Sequence, residues 1–441
     1  MTPAGTPDML SFLDHRGPQT AALPAWVADF RAAGLARYQT LGGVPTPKVE
    51  AWKYTNLRPL TALPWRPATG EDVALRVLPT DGLLSIAGPR LVLVNGRFAP
   101  HLSSPLPDGV EGEPLAEALL NDSGGLEGLL PTPANAPAMA ALNAAWLGHG
   151  LVVRFAAGVD AGLPVHVVQI FAPAPDGAPV LAHPFLMVLA EAGCRATVIE
   201  SHIGRAPAFV NGVCALHIET GASLFHVLAQ SGSPETNAIG YATATVAKGG
   251  SYRRFTLTTG LGLVRNELAV TLAGAGAECH LYGAYTADGR RHVDNTLMVD
   301  HAAPATLSRQ VFKGVLDDQG RGVFQGRIGV HPGAQKSDGH QLHKALLLSP
   351  KSEVDCKPEL EIYADDVKCS HGATTGEMDE DTLFYLRTRG LDIPTARALL
   401  IEAFLDDVID QATGDAPMVS VAARAMVSAW LASRRERRNQ T

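Results

Sequence analysis

From Leu151 to about Thr375 the chain shows almost no helical periodicity. Short segments in which apolar residues recur at every second position follow one another instead: LVVRF, VHVVQIF, FLMVLAE, ATVIES, CALHIET, LFHVLAQ, ATATVAK, YRRFTLTT, NELAVTLAG and ECHLYGAY. That period places alternate side chains on opposite faces, which is strand behaviour. Small residues punctuate the series at Ala192-Gly193, Gly221-Ala222, Gly249-Gly250, Gly276-Ala277, Ala303-Pro304 and Gly333-Ala334. Their spacing of about 27 to 30 residues marks a repeat architecture. A strand–turn–strand unit buries nothing alone and has to stack on its neighbours. A β-helix and a β-sandwich both satisfy this pattern, and the scarcity of Asn-Gly and Asp-Gly turns favours the β-helix. The expectation is a mainly β protein, with one continuous parallel β-helix over residues 151–375 and helical ends.

The flanks read differently. Trp26, Phe30, Ala33 and Arg37 fall at helical intervals behind Pro24, a suitable helix opener. GGVPTPKVEAWKYTNL (residues 42–57) reads as a turn-rich entry to a second helical piece. Leu91 to Phe98 reads as a hairpin around Asn95-Gly96. Leu115, Leu119 and Leu120, then Met139, Leu142, Ala145 and Trp146, return to helical spacing. Residues 1–150 are therefore expected to form a mainly helical domain with a short hairpin. From Asp379 the period is helical again, with acidic residues in a first turn, Arg387 and Arg389 in a last turn and Gly390 just beyond it. A second helix is expected over Thr395 to Gln411, with Leu400, Phe404 and Val408 on one face. In a third, Val419, Ala422, Ala423, Met426, Val427, Trp430 and Leu431 form a continuous apolar stripe. Residues 376–441 are expected to be a C-terminal helical domain.

Composition narrows the function. The chain has 441 residues, 46% of them hydrophobic and 18% charged, which is a globular balance. A net charge of −8 gives no general invitation to nucleic acid. The five cysteines, Cys194, Cys214, Cys279, Cys356 and Cys369, are odd in number and show no CxxC spacing. A disulfide framework is not expected, and a reducing cytoplasm fits. Met1 to Ser11 lacks the basic and apolar regions of a secretory signal, and no apolar run reaches membrane-spanning length. No P-loop occurs, so ATP hydrolysis through that motif is not expected of this chain.

Chemistry concentrates in Lys357 to Gly376. Leu360, Ile362 and Ala364 alternate with Glu359, Glu361 and Tyr363, and Val367, Cys369 and His371 are again two apart. In an extended chain the Cys369 thiol and the His371 imidazole project to the same face. Thiolate with imidazole suits zinc, copper or iron–sulfur chemistry. Two ligands do not hold a cluster, so the others have to come from a partner. The plain alternative is a buried cysteine beside a hydrogen-bonded histidine. Cys194, Cys214, Cys279 and Cys356 are expected on separate strands in the core. His292, Asp294, His301, His331, His340 and His343 are expected to be solvent-facing strand residues. Asp317-Asp318 and Asp365-Asp366 invite a carboxylate-pair reading, but adjacent strand residues face opposite ways.

KPELEIYADDVKCSHGATTG (residues 357–376) followed by LFYLRTRGL resembles the C-terminal signature of the SufB/SufD family, scaffolds of iron–sulfur cluster assembly. The resemblance continues upstream through Ser308 to Pro350, with fainter echoes at EAWKYTNL (50–57) and LVLVNGRFAP (91–100). The SufB branch usually carries a glutamate-containing sequence where this chain reads Cys369-Ser370-His371, so the SufD branch is the nearer one. The resemblance implies a right-handed parallel β-helix with flanking helical domains. It implies a non-enzymatic subunit with no catalytic residues, pairing with a SufB-type subunit and docking a SufC-type ABC ATPase on its C-terminal helices. A transient iron–sulfur cluster would form at the junction, with His371 as the functional histidine and Cys369 beside it as candidate iron ligands. Leu383, Phe384, Tyr385, Arg389, Leu400 and Phe404 are the candidate ATPase-docking residues. An open β-helix edge also favours a homodimer of the isolated chain. The alternatives are the SufB-type subunit itself and, from another class, a β-helix carbohydrate hydrolase or lyase.

Overall fold

In the computed structural model, residues 23–440 are described except 62, 70–77, 79–81, 122–124, 175 and 206. The N-terminal part contains α1 (Ala25–Thr40), α2 (Arg58–Thr61), β1 (Arg66–Pro67), β2 (Arg90–Val94), β3 (Arg97–Phe98), β4 (Val110–Pro114), α3 (Leu115–Asn121) and α4 (Ala138–Ala145). Then come β5 (Gly150–Phe155), β6 (Val165–Phe171), β7 (Val180–Ala182), β8 (Phe185–Ala190), β9 (Arg195–Gly204), β10 (Ala208–Ile218), β11 (Ser223–Gly232) and β12 (Thr236–Val246). These are followed by β13 (Ser251–Thr258), β14 (Leu263–Leu272), β15 (Glu278–Ala287), β16 (His292–His301), β17 (Leu307–Leu316), β18 (Arg321–Val330), β19 (Asp338–Leu347), β20 (Glu353–Ile362) and β21 (Lys368–Glu377). Three helices close the chain: α5 (Glu380–Thr388), α6 (Ile393–Thr413) and α7 (Pro417–Gln440).

From β8 onward successive strands alternate between two sheets, and each up to β19 pairs in parallel with the strand two further on. Ser223 lies opposite Ser251, and Leu263 opposite His292, so residues one sequence period apart stack on one another. This is a parallel β-solenoid and not a sandwich of antiparallel sheets. β2 adds to one sheet beside β6, and β4 to the other beside β5, so strands upstream of Leu151 join the same two sheets. The hairpin of β2 and β3 forms as the sequence suggests, with Asn95 and Gly96 both at positive φ. The short helical piece after Val49 is a single 3-10 turn, Glu50–Trp52, followed by the one-turn α2.

The interior between the sheets holds an aliphatic cluster including Val153, Val188, Leu216, Val270 and Val299. The outer face of the β10 sheet packs on α1, α3 and α4 through Met187, Phe209, Val213 and Met139. The outer face of the other sheet packs on α6 and α7, where Phe225, Val227, Phe255 and Leu257 meet Ile401, Leu405, Val408 and Val427. The α7 stripe is buried as its spacing requires, with Met426 and Leu431 at its margins. In α6 the buried side chains include Ile401, Leu405, Val408 and Ile409, while Leu400 and Phe404 are half-buried. Asp379 and Asp392 cap α5 and α6 through backbone N–H groups of Asp381 and Thr395.

The residues Glu50 to Leu57 close over the β14–β16 face. Arg265 is fully buried, lies 4.2 Å from the Trp52 ring centroid and pairs with Asp294 and Glu267. Thr55 donates its hydroxyl to Asp294 and lies 2.9 Å from His292 Nε2. Asp294 and His301 are thus buried, contrary to the expectation of solvent-facing residues. Asp294 points outward but is covered by this N-terminal segment. His301 points inward, to Thr306 and Ser308 at 2.8 and 2.9 Å. His343 is also internal, 2.9 Å from the Tyr285 hydroxyl and stacked on Phe324. Strand alternation fixes which face a residue takes but not what covers that face.

Burial pushes His149, His166, His301 and His343 down to about 4, and His183 to about 3. Unfolded, each would titrate near about 6.5. Between those values the unfolded chain binds protons that the folded chain refuses, so stability falls as pH falls. Urea denaturation should therefore show a level plateau above pH 7 and a progressive loss from about pH 6.5 to 4. His343→Gln should make that loss shallower, and an unchanged slope would contradict the burial of His343 in neutral form.

Candidate functional site at the open end of the solenoid

The last turn of the solenoid is made by β20 and β21. Beneath them, Gly339 is opposite Cys369 and Gln341 opposite His371 in register. Gly339 and Gln341 are buried in the interior file, so Cys369 and His371 occupy the same inward-facing file one turn later. Among the described residues no further turn stacks on them. Cys369 is half-buried, packed beside Ile328, Val330, Ala334 and Ala364, and His371 is exposed. The side-by-side projection expected from their spacing is therefore present, at an end rather than along a flank.

Burial pushes the Cys369 thiol up, and a hydrogen bond with the Gly339 backbone works in the opposite direction. Gly339 has a structural reason to lack a side chain. A Cβ there would lie 3.3 to 3.4 Å from Ile328, His301 Nε2 and Ser308 Oγ. The space under Cys369 is thus filled by groups from two earlier turns. Under His371 the file is polar: Gln341 donates to Gln310 at 3.2 Å, leaving the Gln341 amide oxygen and the Gln310 amide nitrogen without partners.

Cys356 belongs to the same terminal turn. It stacks on Phe324 in register and is half-buried, with burial pushing its thiol up to about 11. Its only sequence signal is a cysteine immediately before the Lys357–Gly376 stretch. Ile362 and Tyr363 sit at this end with 42% and 66% exposure, apolar surface facing outward from the last turn.

The other cysteines behave as core residues. Cys214 and Cys279 are buried, and burial pushes both thiols well up. Cys194 is buried in the turn just before β9 rather than on a strand, and its thiol is pushed up to about 11. Among the described residues no group of three or more His, Cys, Asp or Glu side chains is arranged to hold a metal ion. The carboxylate-pair reading fails on geometry. Asp317 is buried against Arg434, while its neighbour Asp318 accepts a hydrogen bond from the Gly289 backbone in a turn. Asp365 and Asp366 lie exposed in the turn before β21.

The docking candidates divide by burial. Leu383 is buried, and Phe404 is half-buried with the Lys313 ammonium 4.8 Å from its ring centroid. Phe384 and Tyr385 are 67% and 55% exposed. Arg389 stacks over the Tyr385 ring and donates to its hydroxyl at 3.1 Å. Phe384, Tyr385 and Arg389 therefore form a preset exposed patch on α5.

The chain is thus a parallel solenoid flanked by helices, with a thiol and an imidazole on the inward file of its last turn. The family model of the SUF system FeS cluster assembly SufBD core domain matches residues 174–404. The chain is 30% identical over 401 residues to the iron–sulfur cluster assembly protein SufD of Escherichia coli, covering 88% of this chain and 92% of that protein. It is also 30% identical over 386 residues to an iron–sulfur cluster assembly SufBD family protein of Synechocystis, covering 83% and 84% of the two chains. A chloroplastic protein of Arabidopsis thaliana is 32% identical over 237 residues, about half of each chain. The chain belongs to the SufBD family of iron–sulfur cluster assembly proteins. No helix among the described residues is long and apolar enough to cross a membrane.

Thiol reactivity tests the placement of the cysteines. In the native protein at pH 7.5, Cys369 and Cys356 should alkylate before Cys279 and Cys214, which should react only on denaturation. Peptide mass spectrometry after timed iodoacetamide exposure reads the order. Early modification of Cys279 would show that the solenoid interior is open.

Proposed function

We propose that this protein is a non-enzymatic scaffold subunit of the SufD type, in which a nascent iron–sulfur cluster forms as cargo between its open solenoid end and a SufB-type partner. The observation that carries this reading is the uncovered inward file at Cys369 and His371. A solenoid end leaves strand edges unpaired, and an unpaired edge is a template for another chain. The two edges differ. β20 carries Pro358, which removes one backbone donor, whereas β21 has no proline along its length. Pairing along β21 places a partner's strand directly over Cys369 and His371. Gly372, next to His371, leaves room for a partner backbone to approach closely.

Two ligands from this chain leave the remaining ones to the partner, which confines assembly to the junction. A neutral imidazole ligates iron and holds a cluster less firmly than another thiolate, which suits a scaffold that releases its product. His371 is the proposed ligand and Cys369 a supporting group. The same edge supports a homodimer when no SufB-type partner is present. The SufC-type ATPase is assigned to the exposed Phe384–Tyr385–Arg389 patch, and the working compartment is assigned as the cytoplasm.

His371→Ala should leave the fold and the three-subunit complex intact and lower iron and acid-labile sulfide per reconstituted complex several-fold, with loss of visible absorption. Cys369→Ala should have the smaller effect. Wild-type loading of the His371→Ala complex would sink the ligand assignment.

Truncation of the C-terminal helices is a poor test of ATPase docking, because it would bare the apolar face of Phe225, Val227, Phe255 and Leu257. The double variant Phe384→Asp with Tyr385→Ser changes only exposed side chains. It should abolish ATPase capture in a pull-down while retaining the SufB-type partner, and undiminished capture would remove α5 from the interface.

A further inference from the structure

A second site lies far along the chain from Cys369 and His371, where α7 crosses the outer face of the β9–β11–β13 sheet. The helix leaves a cleft of about 690 Å3 there, within the size range of small-molecule sites. Its floor is Ser201 and Ile203 of β9 and Ala229 and Ser231 of β11. One wall is the α7 face of Ala425, Met426, Ala429 and Trp430, and the other is Gly82 to Leu84. The cleft stays open because small residues face each other across it: alanine and serine on the floor, alanine on the helix.

The charged side chains among its described lining residues are of one sign. Among the described residues lining it are three arginines, Arg205, Arg291 and Arg437, and no carboxylate. Asp288, which is buried, pairs with both Arg291 and Arg437 and fixes them in place. The positive charge available to a ligand is therefore that of Arg205. Arg205 is exposed and has no acidic partner among the described residues.

Three lining groups also carry buried polar atoms with no hydrogen-bond partner: Ser201 Oγ, Trp430 Nε1 and Arg291 Nε. Ser201 and Trp430 are only 4% and 5% exposed. A buried donor without a partner costs free energy, and a ligand acceptor removes that cost. Trp430, Met426, Leu83, Leu84 and Ile203 supply the apolar surface beside these groups.

We propose that this cleft binds a small organic anion, an aromatic or aliphatic body carrying a phosphate or carboxylate. The body packs against Trp430 and Met426. The acidic group accepts from Arg205 and Arg291, which bind such groups through planar, charge-assisted hydrogen bonds. The ligand would clamp α7 to the sheet, because its contacts come from both.

The test uses the full-length protein with 1-naphthyl phosphate as probe and 1-naphthol as its uncharged control, read by isothermal titration calorimetry. Wild-type protein should bind one phosphate probe per chain, more weakly as salt rises, and bind the naphthol far less well. Arg205→Ala should weaken binding about tenfold, since one charge-assisted contact is lost and each tenfold is about 1.4 kcal/mol. Ala429→Trp, at an exposed helical position, should fill the cleft and abolish binding. Thermal melts show whether either variant is folded, and Arg205→Ala alone decides if Ala429→Trp is not. No binding to wild type, equal binding of naphthol, or unchanged binding to Arg205→Ala would each overturn the proposal.

Discussion

Each turn of this solenoid is held only by the turns above and below it. A strand pair of about ten residues per sheet has too little surface to bury a core by itself, so the stacking register is the interaction on which everything else rests. It aligns residues one period apart into files: Gln310 over Gln341 over His371, and Ser308 over Gly339 over Cys369. It also forces the structure to have ends. The last turn cannot satisfy its inner face with its own residues, and that geometric necessity creates the exposed thiol and imidazole.

The two outer faces are managed differently. One is closed by α1, α3, α4 and the Glu50–Leu57 segment, with Arg265 and Asp294 as a buried ion pair beneath Trp52. Removing one partner of such a pair leaves a stranded charge, so this attachment resists piecemeal change. The other face is closed by α6 and α7, whose contact is apolar at the centre and ionic at the edge. There Arg434 and Arg437 reach Asp317 and Asp288 at successive turns of the solenoid. Arg253 and Lys313 of the same sheet pair with Asp415 and Asp407 of the helical unit, so ion pairs flank the apolar contact on more than one side.

The interior is more polar than an aliphatic solenoid requires. Glu200 accepts from or pairs with Gln169, His202 and His226 at 2.7 to 3.0 Å, and Arg254 and Gln230 lie among the same files. Burial raises the Glu200 carboxyl, and the two histidines bring it well below its ordinary value. Such a network specifies register, because sliding a strand by one position would turn these groups outward and leave their partners unsatisfied.

The repeat architecture was legible in the chain because strand alternation and turn spacing are local properties. The shared face of Cys369 and His371 was legible for the same reason, as were the α5 caps and the α7 stripe. Exposure was not. Asp294 and His343 sit on strands with the same alternation as solvent-facing residues, yet one is roofed by Thr55 and Trp52 from the distant N-terminal segment, and the other lies inside beside Tyr285 and Phe324. Cys356 and Cys369 read alike as strand cysteines, and only the end of the stack makes both half-buried. The cleft beneath α7 has no sequence signature, since its arginines come from β-strand turns and a helix that meet only in three dimensions. The sequence by itself determined which residues share a face. The tertiary structure decided which faces are covered, because covering depends on segments far away in the chain and on where the stacking stops.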